Sequence, residues 1–288
     1  MQSFTGGQIT AVAGAIILSG ILYFLPHDFG PGLKQAQQRG PATAKENNGE
    51  EVRTVYDLNA RFSEVRLRLT PQALDRLKVI EGISTENGQN DSLAVFWDEN
   101  NTVDVAAYYF EQIAKKGSSE KQWLNAAYRY FDSFKSARDS LARAFLVGKA
   151  TECYRKVVEI NPKNLNARTD LGVCLSESLT NPMEGIQMLR QVVLEDPKHE
   201  VAQTNLALLD IKSGQFDKAI ARLDTVLKIN PKNIIVLTYL GDVYLRTGNK
   251  AKALDYYGQF RDQTTDTLMK TQMIRYIDEV KRRKDPIQ

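Results

Sequence analysis

EVAQTNLALLDIKSGQFDKAIARLDTVLKINPKN, residues 200–233, decides how the rest of the chain is read. Its apolar residues recur at helical spacing in two runs, with Gly214 in the turn between them. Leu206 and Ala207 form a pair on the first helix, Phe216 follows the turn, and Ala219 and Ile220 open the second helix. Ala219 must be small because the two helices cross closely there. Pro231 cannot continue a helix, so it ends the second one and resets the chain.

The same layout recurs on both sides. Residues 165–199 repeat it with Leu171-Gly172 at the paired position and Gly185-Ile186 in the second helix, and Asn181-Pro182 adds one residue to the turn. Residues 234–264 repeat it through Leu240-Gly241, Tyr244, Gly248, Ala253 and Tyr257. Pro162, Pro197 and Pro231 stand 35 and 34 residues apart. Asn-Pro-Lys-Asn occurs at 161–164 and at 230–233, and Asp196-Pro197-Lys198 varies it. A fixed period near 34 marks a stacked array of helix pairs.

Looser pairs extend the pattern backwards. In residues 119–164, Trp123, Ala126, Ala127 and Tyr130 open a pair whose small residue is Ala150, with Tyr154, Val157 and Pro162 behind it. Tyr130 to Ala150 spans 20 residues, where a standard unit has about nine. The extra residues, around Phe131 to Phe145, have helical character, so both helices are expected to be lengthened. Residues 87–118 read as a degenerate pair built on Leu93, Ala94, Trp97 and Ala106, with Phe110 and Ile113 behind. Residues 51–86 form a helical lead-in, with Thr70-Pro71 as an N-cap and first-turn proline. Residues 265–288 form a last helix carrying Leu268, Met269, Met273, Ile274, Ile277 and Val280, and it ends in Lys281-Arg282-Arg283-Lys284. Cations suit the negative end of a helix dipole.

Position by position, the three regular units resemble the tetratricopeptide repeat, and the looser pairs extend the resemblance to about Asn87. The chain as a whole resembles bacterial single-span membrane-anchored tetratricopeptide proteins. The resemblance implies an all-α, right-handed superhelix (an α-solenoid) with an N-terminal transmembrane helix and a C-terminal capping helix. It also implies a scaffold or client-binding adaptor without catalysis, catalytic residues, cofactor or metal. In such a solenoid the first helices build a concave wall. By the repeat's register that wall shows Asn166, Thr169 and Val173, then Val201, Thr204, Leu208, Ile211 and Lys212, then Ile235, Thr238, Asp242, Leu245 and Arg246. An apolar strip edged by Lys212 and Arg246 suits an extended or amphipathic helical segment of acidic character. Some apolar members, Ile211 and Leu245 above all, are alternatively packed against a neighbouring helix. Family members that clamp a C-terminal carboxylate use Lys and Asn on the first helices. Thr204, Leu208, Thr238 and Asp242 hold those places, so no clamp is expected.

Residues 1–26 carry no charged side chain, and Ile9 to Leu25 is a 17-residue apolar run. This is at the short end of what spans a bilayer, and it reads as an uncleaved anchor. No basic residue precedes it, as a signal peptide would require. Ala11, Ala15 and Ser19 form a small-residue stripe able to pair helices. The side faced by the large domain stays open: Lys34 and Arg39 follow the run, yet large domains translocate largely regardless of charge. Residues 27–50, with Gly30-Pro31-Gly32, Gly40-Pro41 and Asn47-Asn48-Gly49, read as a flexible linker.

The remaining totals narrow the function classes. A formal charge of +3 among 288 residues gives no basic excess for nucleic acid. Cys153 and Cys174 read as buried core residues, and the two histidines, His27 and His199, are far apart in sequence. No phosphate-binding loop, HExxH or Ser/His/Asp set can be assembled, and carboxylate pairs such as Glu50-Glu51 read as solvated. Self-assembly into a homo-oligomer is the alternative to partner binding, with an enzyme more remote.

Overall fold

The computed structural model describes residues 56–83, 89–177 and 182–283. The expected anchor and linker lie outside the described residues, as do the start of the lead-in, most of the loop before Asn90, the Asn181 turn residue and Lys284. The chain divides into residues 1–58 and 59–288, and nearly all described residues fall in the second unit. Among the described residues there are 13 helices and no strands.

The helices are α1 (Leu58–Leu67), α2 (Pro71–Gly82), α3 (Gln89–Glu99), α4 (Val103–Gly117), α5 (Glu120–Ser136), α6 (Ser140–Ile160), α7 (Leu165–Ser176), α8 (Pro182–Glu195), α9 (Glu200–Lys212), α10 (Phe216–Ile229), α11 (Ile235–Arg246), α12 (Lys250–Gln263) and α13 (Thr267–Arg282). Their starts follow from capping chemistry. The Thr70 hydroxyl accepts from the Ala73 amide, with Pro71 at the first helical position. Ser119 and Gln122 form a reciprocal capping box at α5. Asp139, Asn164, Asn249 and Asp266 cap α6, α7, α12 and α13. His199 caps α9 through its ring, which accepts from the Ala202 amide at 3.2 Å.

Each pair closes on a small residue. Ala150, Ala219 and Ala253 are fully buried where their helices meet. The pair α7/α8 is tightest: a Cβ on Gly185 would lie 2.3 Å from the Gly172 carbonyl oxygen and 2.4 Å from the Ser176 nitrogen. No side chain fits there. Gly214 closes the α9/α10 turn at φ 74°, a left-handed conformation that glycine adopts without steric cost.

The Asn-Pro-Lys-Asn turns have a partner that reading along the chain does not reveal. Asn161 and Asn164 both donate to the Glu120 carboxylate, at 3.1 and 2.8 Å. Asn230 and Asn233 donate to Glu200 at 3.1 and 2.6 Å. In each case the turn that ends a pair is tied to the residue that began it. Residues 165–199 have Leu165 and Asp196 at these places, and His199 bonds Asn166 at 3.1 Å instead.

The last helix, α13, buries Met269, Met273, Ile277 and Val280. Leu268 and Ile274, expected on the same apolar face, are exposed. Lys250 crosses to the end of α13 and donates to the Lys281 and Arg283 carbonyls at 3.0 and 2.6 Å. This satisfies acceptors that a helix terminus otherwise leaves open. Cys153 and Cys174 are buried free thiols, and burial pushes Cys153 up to about 12.

Candidate protein-binding face

The first helices of the pairs are α3, α5, α7, α9 and α11, and counting within each repeat places their residues in register. The thirteen expected wall residues do not share one environment. At the second position, Asn166 and Val201 are exposed and Ile235 is half-buried. At the fifth, Thr169 and Thr238 are buried and Thr204 is half-buried. All three threonine hydroxyls donate back to their own helix, to Leu165, Ile235 and Glu200 carbonyls. At the ninth, Val173, Leu208 and Asp242 are half-buried; at the twelfth, Ile211 and Leu245 are buried; at the thirteenth, Lys212 and Arg246 are exposed.

Thr169 and Thr238 are therefore not presented to solvent, against the expectation for that wall, and Ile211 and Leu245 are buried, as in the packed alternative. The physical reason is lateral packing. The helical period marks the face of one helix that is apolar, but adjacent helices cover part of that face. Exposed in the regular repeats are Asn166, Val201, Lys212 and Arg246, while Val173, Thr204, Leu208, Ile235 and Asp242 are half-buried. The Arg246 guanidinium sits 5.2 Å from the Phe216 ring centre, which orients it.

Asp242 was expected as a surface acid. It instead accepts the Tyr257 hydroxyl at 2.5 Å, and Tyr276 packs edge-on against Tyr257 at 5.2 Å. Burial raises the Asp242 carboxyl to about 7, against the opposing effects of Tyr257 and Arg246. A second pair of the same kind joins α6 to α7, where Tyr154 donates to Asp170 at 3.0 Å. Burial raises Asp170 to about 6, while Tyr154 and Lys135 pull the other way.

Beside that pair lies a group that the repeat register did not single out. Tyr128 on α5 is 42% exposed, and its ring meets Tyr154 edge-on at 6.0 Å. Phe131 also packs edge-on against Tyr154, at 5.9 Å. Asp132 and Lys135 follow, with the Lys135 ammonium 3.9 Å from the Phe131 ring centre. Both keep solvent access. Even so, burial raises the Asp132 carboxyl and lowers the Lys135 ammonium. Next to Asp132, Ser133 is buried and its hydroxyl has no hydrogen-bond partner among the described residues. The signal for this cluster was present in the lengthened stretch, but an acid, a lysine and a tyrosine on a helix ordinarily read as a solvated face.

Stacked helix pairs closed on small residues define an all-α solenoid. The tetratricopeptide-repeat family model matches residues 180–236 and 210–270. The chain carries tetratricopeptide repeats over residues 180–270. The crystal structure of PilW, a type IV pilus biogenesis factor, is similar in fold: TM-score 0.51, 20% identity, covering 68% of this chain and 87% of that one. Superkiller protein 3 of Schizosaccharomyces pombe is 25% identical over 119 residues, 38% of this chain and 8% of that protein. The BBSome complex member BBS4 of Bos taurus is 29% identical over 130 residues, 44% of this chain and 24% of that protein. The match thus spans no more than 24% of the length of these curated relatives. Proteins with this repeat generally mediate protein–protein interaction, and the fold is typically a scaffold without catalysis.

Proposed function

We propose that this protein is a membrane-anchored scaffold or client adaptor that holds other proteins along the first-helix face of its repeats and contributes no chemistry of its own. The observation carrying this reading is the register of open positions. Val201, Leu208 and Lys212 on α9, and Arg246 at the equivalent place on α11, leave apolar and basic groups available in adjacent repeats. Such a surface suits an extended or amphipathic segment whose acidic residues meet Lys212 and Arg246. Residues 9–25 are the proposed single-pass anchor, by their apolar length alone. No helix among the described residues is long and apolar enough to cross a membrane.

The test is in-cell crosslinking of the tagged full-length protein, with a protease-accessibility assay for the side faced. Leu208→Ala combined with Lys212→Glu is expected to remove crosslinked partners while the purified protein keeps its helicity. An unchanged set of partners would sink the binding-face reading. A stable homo-oligomer of residues 51–288 in light scattering, with no other protein crosslinked, would favour self-assembly instead.

A further inference from the structure

We propose that Tyr128, Asp132 and Asp170 form a subsite on the lengthened pair that reads an arginine side chain of the bound protein segment. The inference rests on the binding-face reading above and gives that face a second, oppositely charged station.

Tyr128 is the one aromatic among the exposed large apolar side chains of the described residues. Its hydroxyl has no hydrogen-bond partner among them, while the edge contact with Tyr154 sets the ring's orientation. Asp132 lies one helical turn further on, where residues four apart are neighbours. Its carboxylate makes no hydrogen bond or ion pair among the described residues. Asp170 reaches the same place from α7. One of its oxygens takes the Tyr154 hydroxyl, and the other has no partner among the described residues. Lys135 faces both acids from α5, and Cys174 faces Asp170 from α7 itself.

Charge decides the occupant. Two carboxylates against the Lys135 ammonium leave one negative charge in excess, so a single added cation brings the cluster to neutrality. The half-buried Asp170 keeps one carboxylate oxygen unbonded, and a ligand that donates to it offsets the cost of that burial. A guanidinium does more than an ammonium: it is flat enough to stack on Tyr128 and carries a fork of donors matched to carboxylates. An acidic side chain would meet two like charges. The protein's own nearby arginine is not free to fill the place. Arg129 already binds Asp98 at 2.6 and 3.0 Å and stacks 3.9 Å from the Phe110 ring centre.

The experiment is saturation-transfer NMR on the detergent-solubilised full-length protein. The probes are blocked pentapeptides, acetyl-Ala-Ala-Xaa-Ala-Ala-amide, with Arg, Lys, Ala or Glu at the centre. The arginine peptide is expected to bind most tightly, with saturation greatest on its side-chain methylenes, and the glutamate peptide no better than alanine. Asp132→Asn, at a solvent-accessible position that the fold does not depend on, should weaken the arginine peptide about 5- to 10-fold. Asp170→Asn, which keeps an acceptor for Tyr154, should do likewise. Affinity should rise from pH 5 to pH 7.5 as Asp170 gives up its proton. Equal binding of the arginine and alanine peptides, or an Asp132→Asn protein that binds arginine as before, overturns the subsite. The Leu208/Lys212 crosslinking is read separately. If it still loses partners while the arginine peptide fails, the subsite falls and the binding face stands; if both fail, the face falls with it.

Discussion

The regular pair α9/α10 and the lengthened pair α5/α6 share a crossing and differ in what lies beyond it. Ala219 and Ala150 are both fully buried at the crossing, and both pairs tie a closing asparagine turn to an opening glutamate. The regular helices have 13 and 14 residues, the lengthened ones 17 and 21. The extra turns bury Phe131, Phe134, Leu146 and Val147 in a core that also takes in Leu175 of α7. Glu111 of α4 sits beneath the pair and accepts from the Tyr130 hydroxyl and Lys115 at 2.7 Å each and from Lys149 at 3.4 Å. The regular pair α9/α10 has, beside its close crossing, one small polar link, in which Arg222 donates to Asp210 and Gln203 at 2.9 and 3.0 Å. The lengthened pair adds an aromatic core and a charged hub, so individuality enters this solenoid at the helix ends while the crossing stays constant.

Removing the hub should have the largest effect on this contrast. Burial alone would raise the Glu111 carboxyl, but hydrogen bonds from Lys115 and Tyr130 outweigh it and hold it below its usual range. Glu111→Ala leaves the buried Tyr130 hydroxyl and the Lys115 ammonium without their acceptor, and Lys149 with Glu152 alone. A loss of about 3–4 kcal/mol is expected in urea unfolding of the full-length protein. A loss under about 1 kcal/mol would mean that packing, not the hub, holds the lengthened pair. The converse test is Gly185→Ala in α8. The added methyl meets backbone of α7 rather than a yielding side chain, so the helices must separate, at about 2–3 kcal/mol. If the variant unfolds at the wild-type urea midpoint, close crossing is not what holds the regular pairs.

The period, the terminating prolines and the small crossing residues were readable along the chain because each is local or recurs at a fixed interval. The turn-to-glutamate ties were not. Glu120 lies some forty residues from Asn161 and Asn164, and only the closed pair brings them together. Thr169 and Thr238 were misplaced, and Ile211 and Leu245 left between two places, because register and hydropathy mark a face of a helix without marking its neighbours. Asp242 on α11 was placed on the open wall, and Asp170 on α7 was not singled out, for a related reason. Four residues after the small crossing residue stand Tyr154, Leu189, Leu223 and Tyr257. The two tyrosines draw a carboxylate inward, Asp170 from the following repeat and Asp242 from the same one, while the two leucines are fully buried. A tyrosine at that position signals a buried acid opposite, but only once the fold shows which residue is opposite.

The smallest expected effect compares those two acids. Burial raises Asp242 from an ordinary 3.8 to about 7, with Tyr257, Tyr276, Tyr239 and Arg246 as the titratable or charged groups around it. Between these values the folded protein keeps a proton that the unfolded chain releases. The carboxyl's contribution to stability is therefore complete below about pH 3.8 and declines as pH rises through 7. Asp242→Asn abolishes this titration and keeps an acceptor for the Tyr257 hydroxyl. The variant should match or fall slightly below wild type at pH 5 and exceed it by about 1–2 kcal/mol at pH 8. Asp170→Asn should show the same sign with its midpoint nearer pH 6. Thermal unfolding across pH 5 to 8 checks both. If Asp242→Asn leaves the slope of stability with pH unchanged, the Asp242 carboxylate is already ionised within the fold, and the Tyr257 hydrogen bond together with Arg246 outweighs its desolvation.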